Sequence, residues 1–323
     1  MKPKLLVVGS LAMDLIITTQ QFCSGGETVI GTGFSTAPGG KGANQAVQAA
    51  RLGADVTLIG KVGNDDFGRA LIASVKESGV NTDSLLITTD VPTGIANIQI
   101  QKNEQGTENR ILVVPGANFA LTVEDVACLE ESIAEYDMVI LQHEIPTEVN
   151  CKVAAYAKAK GVPVLLNPAP SAPISKELAA CLTYIAPNEH EAEDITGISL
   201  DSPEAILQAV EALHKMGIPN VIITLGKEGC IGSDGVSVRT SPSIDIAPVI
   251  DPTAAGDSFI GAFCVAIAAG VGVKDAFTLA NCTAGITVTR MGAQTSLPTF
   301  EEVTSALQEK GLLTEAYSKL KAE

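Results

Sequence analysis

Short apolar runs, rich in β-branched residues and separated by segments of helical period, constrain this chain more than any other feature. The runs at 5–8, 56–59, 138–141, 164–166, 184–186 and 221–224 show little alternation of polar with apolar residues, as expected of strands covered on both faces. Between them, segments such as 44–52, 67–78 and 149–160 place apolar residues three and four positions apart, the spacing of amphipathic helices. Alternation of this kind predicts an α/β fold with a doubly wound, mostly parallel sheet. With no Trp and only 4% aromatics, its core must be built mainly from Val, Ile, Leu and Ala.

Two stretches break the rhythm. Residues 15–36 and 93–114 hold no convincing helix but do hold alternating segments. IANIQIQ (95–101) and NRILVV (109–114) flank the turn-rich connector KNEQGTE and read as a β-hairpin. A small β layer beside the main sheet follows, either ordinary sheet packing or a lid over a site. The last third reads as helical at 256–270, 273–290 and 299–308, with Pro298 starting the last helix. With no repeat and no linker, the chain reads as one domain, 1–323, carrying 15–36 and 93–114 as inserted segments.

Composition excludes several classes of function. Lys and Arg number 21 against 37 Asp and Glu, a formal net charge of −16. Such a chain repels nucleic acid and anionic membrane surfaces. Its seven cysteines (23, 128, 151, 181, 230, 264 and 282) include no CxxC and no histidine at metal spacing. An odd, dispersed set points to reduced thiols in a cytoplasmic protein, most of them small core residues. The longest run free of charged and strongly polar residues, 259–273, is 15 residues with three glycines, too short to span a bilayer. MKPKLLVVGS runs straight into Gly9 and Ser10, a buried first strand and its turn in preference to a signal peptide.

Chemistry concentrates in a few segments. Asp251-Pro252-Thr253-Ala254-Ala255-Gly256-Asp257 opens a long apolar helix. The first-turn N–H groups of Ala255, Gly256 and Asp257 have no intrahelical partner there, and with the helix dipole they form an anion hole. Asp257 sits where its carboxylate can meet an attacking hydroxyl, although a first-turn Asp also suits any helix start. Pro38-Gly39-Gly40-Lys41-Gly42-Ala43-Asn44-Gln45 is a second glycine-rich turn entering a helix. It is neither a GxxxxGK[ST] loop nor GxGxxG. Lys41 and Asn44 offer donors to sugar hydroxyls, while the glycines also suit tight helix–sheet packing. In Pro187-Asn188-Glu189-His190-Glu191, Asn188 and Glu191 share one helical face and can hold waters of a Mg²⁺ ion, or form a capping box. Thr224-Leu225-Gly226-Lys227-Glu228-Gly229 is a turn that either lines a nucleotide cleft or merely joins two strands. Asp14 and Glu144 follow the runs at 5–8 and 138–141, near the carboxyl ends where ligands bind in open α/β sheets. His143 has no partner motif, His190 and His214 carry little information, and none of the three receives a role.

In order and spacing, these segments resemble the ribokinase family of carbohydrate kinases over essentially the whole chain. GGKGANQA (39–46) and DPTAAGDSF (251–259) look like the family's two signatures. Asn-Pro-Ala-Pro (167–170), PNEHEAE (187–193), TLGKEG (224–229) and TRMGAQ (289–294) are similar to family segments. The resemblance implies a three-layer α/β sandwich with a small β-sheet lid, through which two copies usually pair. It implies transfer of the γ-phosphate of ATP to the 5-hydroxymethyl group of a pentose, D-ribose first. Deoxyribose, another sugar or a nucleoside would use the same chemistry; a non-catalytic sugar or nucleotide sensor is the alternative of another class. Asp257 would be the catalytic base, with the amides of Ala255, Gly256 and Asp257 as anion hole. Asp14, Gly40, Lys41, Asn44 and Glu144 would bind the sugar, with Ala96 and Ile98 closing over it. Asn188, Glu191, Thr224, Gly226, Gly229 and Asn281 would lie on the ATP and Mg²⁺ side. Asp251, Thr253, Ser296 and the carbonyls of Val288, Met291 and Ala293 would hold K⁺. One departure stands out: members commonly read Asn-Ala-Asp where this chain has Ala12-Met13-Asp14. That Asn touches the sugar, and Ala12 has no side-chain donor to replace it.

Overall fold

The structure, a computed structural model, describes residues 2–103 and 106–320. Each predicted run forms a strand: β1 (Lys4–Val8), β4 (Asp55–Gly63), β8 (Met138–Gln142), β9 (Val164–Asn167), β10 (Tyr184–Ile185) and β11 (Asn220–Thr224). With β5 (Leu85–Thr88), β12 (Cys230–Ser233) and β13 (Val238–Ser241) they make a nine-stranded sheet, ordered β13-β12-β11-β10-β9-β8-β1-β4-β5. It is parallel from β11 to β5, and β12 and β13 add an antiparallel edge.

Alternation along the central strands shows why both faces are covered. Leu5 and Val7 of β1 and Met138 and Ile140 of β8 join one buried cluster, with Ala46 of α1 (Lys41–Arg51), Phe263 of α8 (Ala255–Ala268) and Phe277 of α9 (Val273–Thr287). Leu6, Val8, Val139 and Leu141 join the other, with Val153 of α4 (Thr147–Lys160), Ala192 of α6 (Glu189–Thr196) and Leu213 of α7 (Pro203–Lys215). Helices α2 (Asp66–Glu77) and α10 (Phe300–Glu309) add to the first layer; the short α3 (Leu129–Ser132) and α5 (Lys176–Ala179) lie on the second. Three of the phenylalanines stack in the first layer: Phe263 lies between Phe259 and Phe277, with ring centroids 6.5 and 5.4 Å away.

A separate four-stranded sheet, β3-β2-β6-β7, is built from β2 (Ala12–Thr19), β3 (Gly33–Gly39), β6 (Gly94–Asn103) and β7 (Gly106–Val114). It includes the expected hairpin; Glu104 and Gln105 of the connector KNEQGTE lie outside the described residues. Its bounds differ from 15–36 and 93–114. β2 begins at Ala12 and β3 ends at Gly39, so this sheet grows directly out of the β1 turn and the glycine-rich motif.

Three sequence expectations need correction. The helix expected over 273–290 ends at Thr287, because the 288–292 backbone turns back to accept the Ile250 and Asp251 N–H groups at Val288. The last helix starts at Phe300 and is capped by Thr299, whose side chain pairs with the Glu302 N–H while Glu302 accepts from the Thr299 N–H. This capping box, not Pro298, sets its start. Most cysteines are not core residues: Cys230, Cys264 and Cys282 are buried, whereas Cys23 and Cys128 are exposed and Cys151 and Cys181 half-buried. Burial pushes the Cys230 and Cys282 thiols up to about 12. Among the described residues no helix is long and apolar enough to cross a membrane.

Candidate active site

The first turn seats α1. Ser10 accepts the Ala43 N–H at 2.9 Å, so the helix start lies directly on the chain leaving β1. Gly40 adopts φ 94°, and a Cβ there would stand 2.7 Å from the Ala12 nitrogen and 2.8 Å from the Leu11 Cα. At Gly42 a Cβ would fall 2.5 Å from the Ser10 nitrogen. Both glycines therefore meet the packing demand anticipated for this motif, and the approach carries Lys41 and Asn44 over the end of β1.

Asp257, in the first turn of α8, is buried at 7% exposure, with both carboxylate oxygens in use. Asn44 Nδ2 donates to Oδ2 at 2.8 Å and Gln45 Nε2 to Oδ1 at 2.9 Å. Gln45 Nε2 also donates to Asn167 Oδ1 (3.0 Å), and its Oε1 accepts from Gln142 Nε2 (2.7 Å). The starts of α1 and α8 are thus tied to the ends of β8 and β9. Gln45, Gln142 and Asn167 received no site role from sequence. The only signal was that Gln45 and Asn167 lie inside motif segments.

One cation faces a group of acids. Burial works against the charge on Lys41, but the carboxylates of Asp257, Glu144 and Glu191 outweigh it and raise its pKa. Burial, then Glu144, Asp257 and Asp251, push Asp14 up to about 7. Burial also raises Glu191 against the hydrogen bond from Asn188. Glu144 is positioned by two donors to Oε2, the Ser10 hydroxyl at 2.5 Å and the Lys41 N–H at 3.1 Å.

The start of α8 departs from the expected hole in one donor. Ala254 caps the helix at φ 62°, a left-handed conformation costing an L-residue about 1–2 kcal/mol. The Ala255 N–H donates to the Pro252 carbonyl at 3.2 Å, so it is not an unpaired amide. The chain curls back to Pro252 at the cap and spends that donor. Helical pairing resumes with Ser258 N–H to Ala254 at 2.8 Å, leaving the Gly256 and Asp257 amides as the donors of the opening turn. A Cβ at Gly256 would meet nothing within 4 Å, so the space beside it is free for a ligand.

Two cavities meet here. One, of about 520 Å³, is lined by Ala12, Asp14, Gly40, Lys41, Asn44, Ala96, Ile98, Glu144 and Asp257, together with Asn118, His143 and Phe119 among others. Every residue expected on the sugar side converges on it. The other, of about 210 Å³, is lined by Asn188, Glu191, Thr224, Ala255 and Gly256 among others. Lys41, Glu191, Ala254 and Asp257 line both, so Asp257 lies where the two join. Asn188 and Glu191 form the capping box: Asn188 N–H and Nδ2 donate to the two Glu191 oxygens, each at 2.9 Å, and Asn188 Oδ1 accepts the Glu191 N–H at 2.9 Å. Gly226, Gly229 and Asn281 line neither cavity. A Cβ on Gly229 would strike the Ser241 carbonyl at 2.1 Å. Asn281 Nδ2 donates to the Ser241 hydroxyl at 3.0 Å, beside a third cavity of about 540 Å³ lined in part by Ser241, Pro242 and Phe277.

The 251–253 and 288–296 loops also come together. Asp251 Oδ1 accepts from Thr253 N–H (3.0 Å) and Oγ1 (2.6 Å), and Oδ2 from Gly292 N–H (2.9 Å). These bonds overcome burial and hold Asp251 below the usual carboxylate range. Ser296 Oγ donates to the Ala293 carbonyl at 2.7 Å, and Thr295 Oγ1 to the Met291 carbonyl at 2.9 Å.

Comparison with known proteins decides what this geometry belongs to. Residues 2–300 match the model of the pfkB family carbohydrate kinases. The chain belongs to that family. It is 42% identical to the ribokinase of Bacillus subtilis, over 93% of this chain and 98% of the relative. It is 34% identical to the deoxyribokinase of Salmonella typhi, over 92% and 96%. The structure of Arabidopsis thaliana ribokinase complexed with ribose and ATP superposes with a TM-score of 0.90 at 33% identity, covering 95% of this chain and 99% of that one. The protein has the ribokinase-like fold and, as a pfkB family member, is a sugar kinase that transfers phosphate from ATP to a hydroxyl group.

Two outcomes follow from the geometry. Gly256→Ala should leave stability unchanged or raise it by up to about 1 kcal/mol, because a helical Gly costs that much relative to Ala. Its methyl group fills ligand space, and overpacking of about 1–3 kcal/mol should lower turnover roughly five- to hundredfold; thermal melts paired with ADP assays read both effects. Asp14, held near 7 against an ordinary 3.8, makes folding take up a proton between those values. Its stability penalty is absent below about pH 4 and complete above about pH 7. Sugar-free Asp14→Asn should match the parent's melting temperature at pH 4 and exceed it by several degrees at pH 8; a constant offset across that range would contradict this account.

Proposed function

We propose that the sugar is D-ribose, phosphorylated on its 5-hydroxymethyl group to ribose 5-phosphate by a single kinase domain on which the four-stranded sheet serves as lid. The observation that carries this reading is the junction. Asp257 borders both the larger cavity, into which Asp14, Lys41, Asn44 and Glu144 bring polar groups, and the pocket at the start of α8, so it can face a hydroxyl and a phosphoryl group together. The 5-hydroxyl attacks the γ-phosphorus, its O–H bond breaks as the O–P bond forms, the proton passes to Asp257, and ADP leaves. Asn44 and Gln45 hold the carboxylate still. The Gly256 and Asp257 amides, at the positive end of α8, stabilise the oxygens of the phosphoryl group in flight. In a loose transition state, such positioning and charge stabilisation outweigh proton abstraction.

An anionic nucleotide entering a cleft of carboxylates needs cations. Among the described residues no group of three or more His, Cys, Asp or Glu stands ready to hold a metal. Asn188 and Glu191 instead suit a Mg²⁺ that keeps its water shell and is bound mainly by phosphate, since each Glu191 oxygen accepts only one bond from Asn188. Bound there, Mg²⁺ supplies charge neutralisation on the phosphates. Asp251, Thr253, Ser296 and the carbonyls of Val288, Met291 and Ala293 form an all-oxygen set of the kind that suits K⁺, although the Val288 and Ala293 carbonyls each accept two hydrogen bonds from the protein. Thr224 lies on the nucleotide side; Gly226, Gly229 and Asn281 would shape its far end near Ser241. Phe34, Leu112 and Val114 of the small sheet are exposed, an apolar face suited to pairing with a second copy. The site geometry and the cysteines fit a protein working in the cytoplasm.

Deoxyribose is the second reading, because Ala12 lines the sugar cavity without a polar side chain. A sugar panel monitored by ADP release tests both: ribose should give the highest kcat/KM, and silence on every sugar would leave only a sensor. Ala12→Asn should raise the ribose-to-deoxyribose ratio about two- to twelvefold, the worth of one neutral hydrogen bond; a uniform loss on all sugars would mean the pocket is adapted to another substrate. Asp257→Asn should cut kcat by roughly 10²–10⁴ while sugar affinity falls less, and near-parental turnover would remove Asp257 from the mechanism. Potassium should activate by ordering the Asp251 loop; equal rates in potassium and choline buffers would refute that.

A further inference from the structure

His143 stands between two residues whose side chains take part in the hydrogen bonds of the site. Gln142 donates to Gln45, and Glu144 accepts from Ser10 and the Lys41 backbone. The His143 backbone N–H is also used, donating to the Ala169 carbonyl at 3.0 Å. Its side chain differs from these. The residue is only 7% exposed, yet neither ring nitrogen has a hydrogen-bond partner. Burial lowers its pKa, so the ring is neutral at physiological pH, with one N–H donor and one acceptor nitrogen. The Pro170 carbonyl favours the charged form, but its approach falls short of a hydrogen bond.

A buried, unpaired imidazole is expensive, and native structures usually satisfy such groups. His143 lines the 520 Å³ cavity together with Asp14, Lys41 and Glu144; both nitrogens are shielded in the sugar-free protein, and a turn of the ring about its Cβ–Cγ bond would bring one of them to that wall. A hydroxyl is both donor and acceptor, the same complement a neutral imidazole offers. Nearby Ala12, Ala96 and Ile98 bring no polar side-chain atoms to that cavity.

We propose that His143 is a specificity-determining residue whose ring nitrogen hydrogen-bonds a secondary hydroxyl of the bound sugar. This rests on the sugar-kinase reading of the same cavity. It is not a catalytic residue, since Asp257 borders the phosphate pocket and His143 does not. Its contribution is to binding and to the choice between sugars that carry or lack the contacted hydroxyl.

The test compares the parent enzyme with His143→Leu, which removes both nitrogens at similar size, and His143→Gln, which keeps a donor and an acceptor. Steady-state kinetics on ribose and 2-deoxyribose are paired with thermal shifts on adding ribose without ATP. His143→Leu should raise the ribose KM about two- to twelvefold, the range for one neutral hydrogen bond, with kcat changed less than twofold. Its ribose-dependent thermal shift should shrink while the sugar-free melting temperature is no lower than the parent's. His143→Gln should recover at least half of the lost affinity. An unchanged ribose KM in His143→Leu would overturn the proposal. So would an equal fall in sugar-free stability and in activity on both sugars in both variants, which marks a packing residue. Should the parent bind ribose yet form no ADP, the kinase reading fails, and the thermal shifts alone still decide whether His143 contacts the sugar.

Discussion

The structure of this site hangs on Asp257 being gripped by two neighbouring amides. Asn44 and Gln45, consecutive near the start of α1, each donate to one of its oxygens from more than 200 positions away. Successive residues on a helix point about 100° apart, so both can reach one carboxylate only if it sits close above the helix start. That closeness in turn requires Gly40 and Gly42, where any Cβ would strike the turn after β1. Gln45 continues the chain of bonds to Asn167 and Gln142 at the ends of β9 and β8, so the rigid centre of the sheet fixes the carboxylate. A buried network of this kind is stiff because each member is polarised and oriented by the next.

The same convergence creates an electrostatic problem. Asp14, Glu144, Glu191, Asp251 and Asp257 influence one another, and among the described residues Lys41 is the buried cation that faces Asp257, Glu144 and Glu191 together. The protein without ligand answers by holding the Asp14 proton to about 7 and by gripping Asp251 with three donors. The free amides at the start of α8 are the donors this chain itself offers to a polyphosphate. A single lysine is insufficient for that charge, which explains why an acidic chain can still belong to a family of ATP-dependent kinases.

Much of this was legible beforehand. The apolar runs marked six strands because burial on both faces removes polar alternation, and the glycine-rich start of α1 marked the site because backbone packed that closely excludes larger residues. The residues assigned to a sugar side, Asp14, Gly40, Lys41, Asn44, Ala96, Ile98 and Glu144, all line one cavity. Other features were not legible. Ala255 lost its free amide to Pro252, and Asn188 and Glu191 adopted the capping box that their spacing equally allowed. Gln45 lies in a glycine-rich motif, yet nothing in a single sequence says which amide will meet which acid. His143 was set aside for lack of a partner motif. Only its burial among engaged neighbours distinguishes it.

The sequence by itself determined the layers, the strand and helix order, the helix starts and the residue types available for chemistry. Those properties follow from periodic burial and from local backbone stereochemistry, both of which act over a few residues. Tertiary structure alone decided the pairing of Asp257 with Asn44 and Gln45, the raised Asp14, the two cavities joined at Asp257 and the unpaired ring of His143. Each of these depends on distances between groups far apart along the chain. Such distances are set by how α1 and α8 pack against the carboxyl ends of the sheet, and no local pattern specifies them.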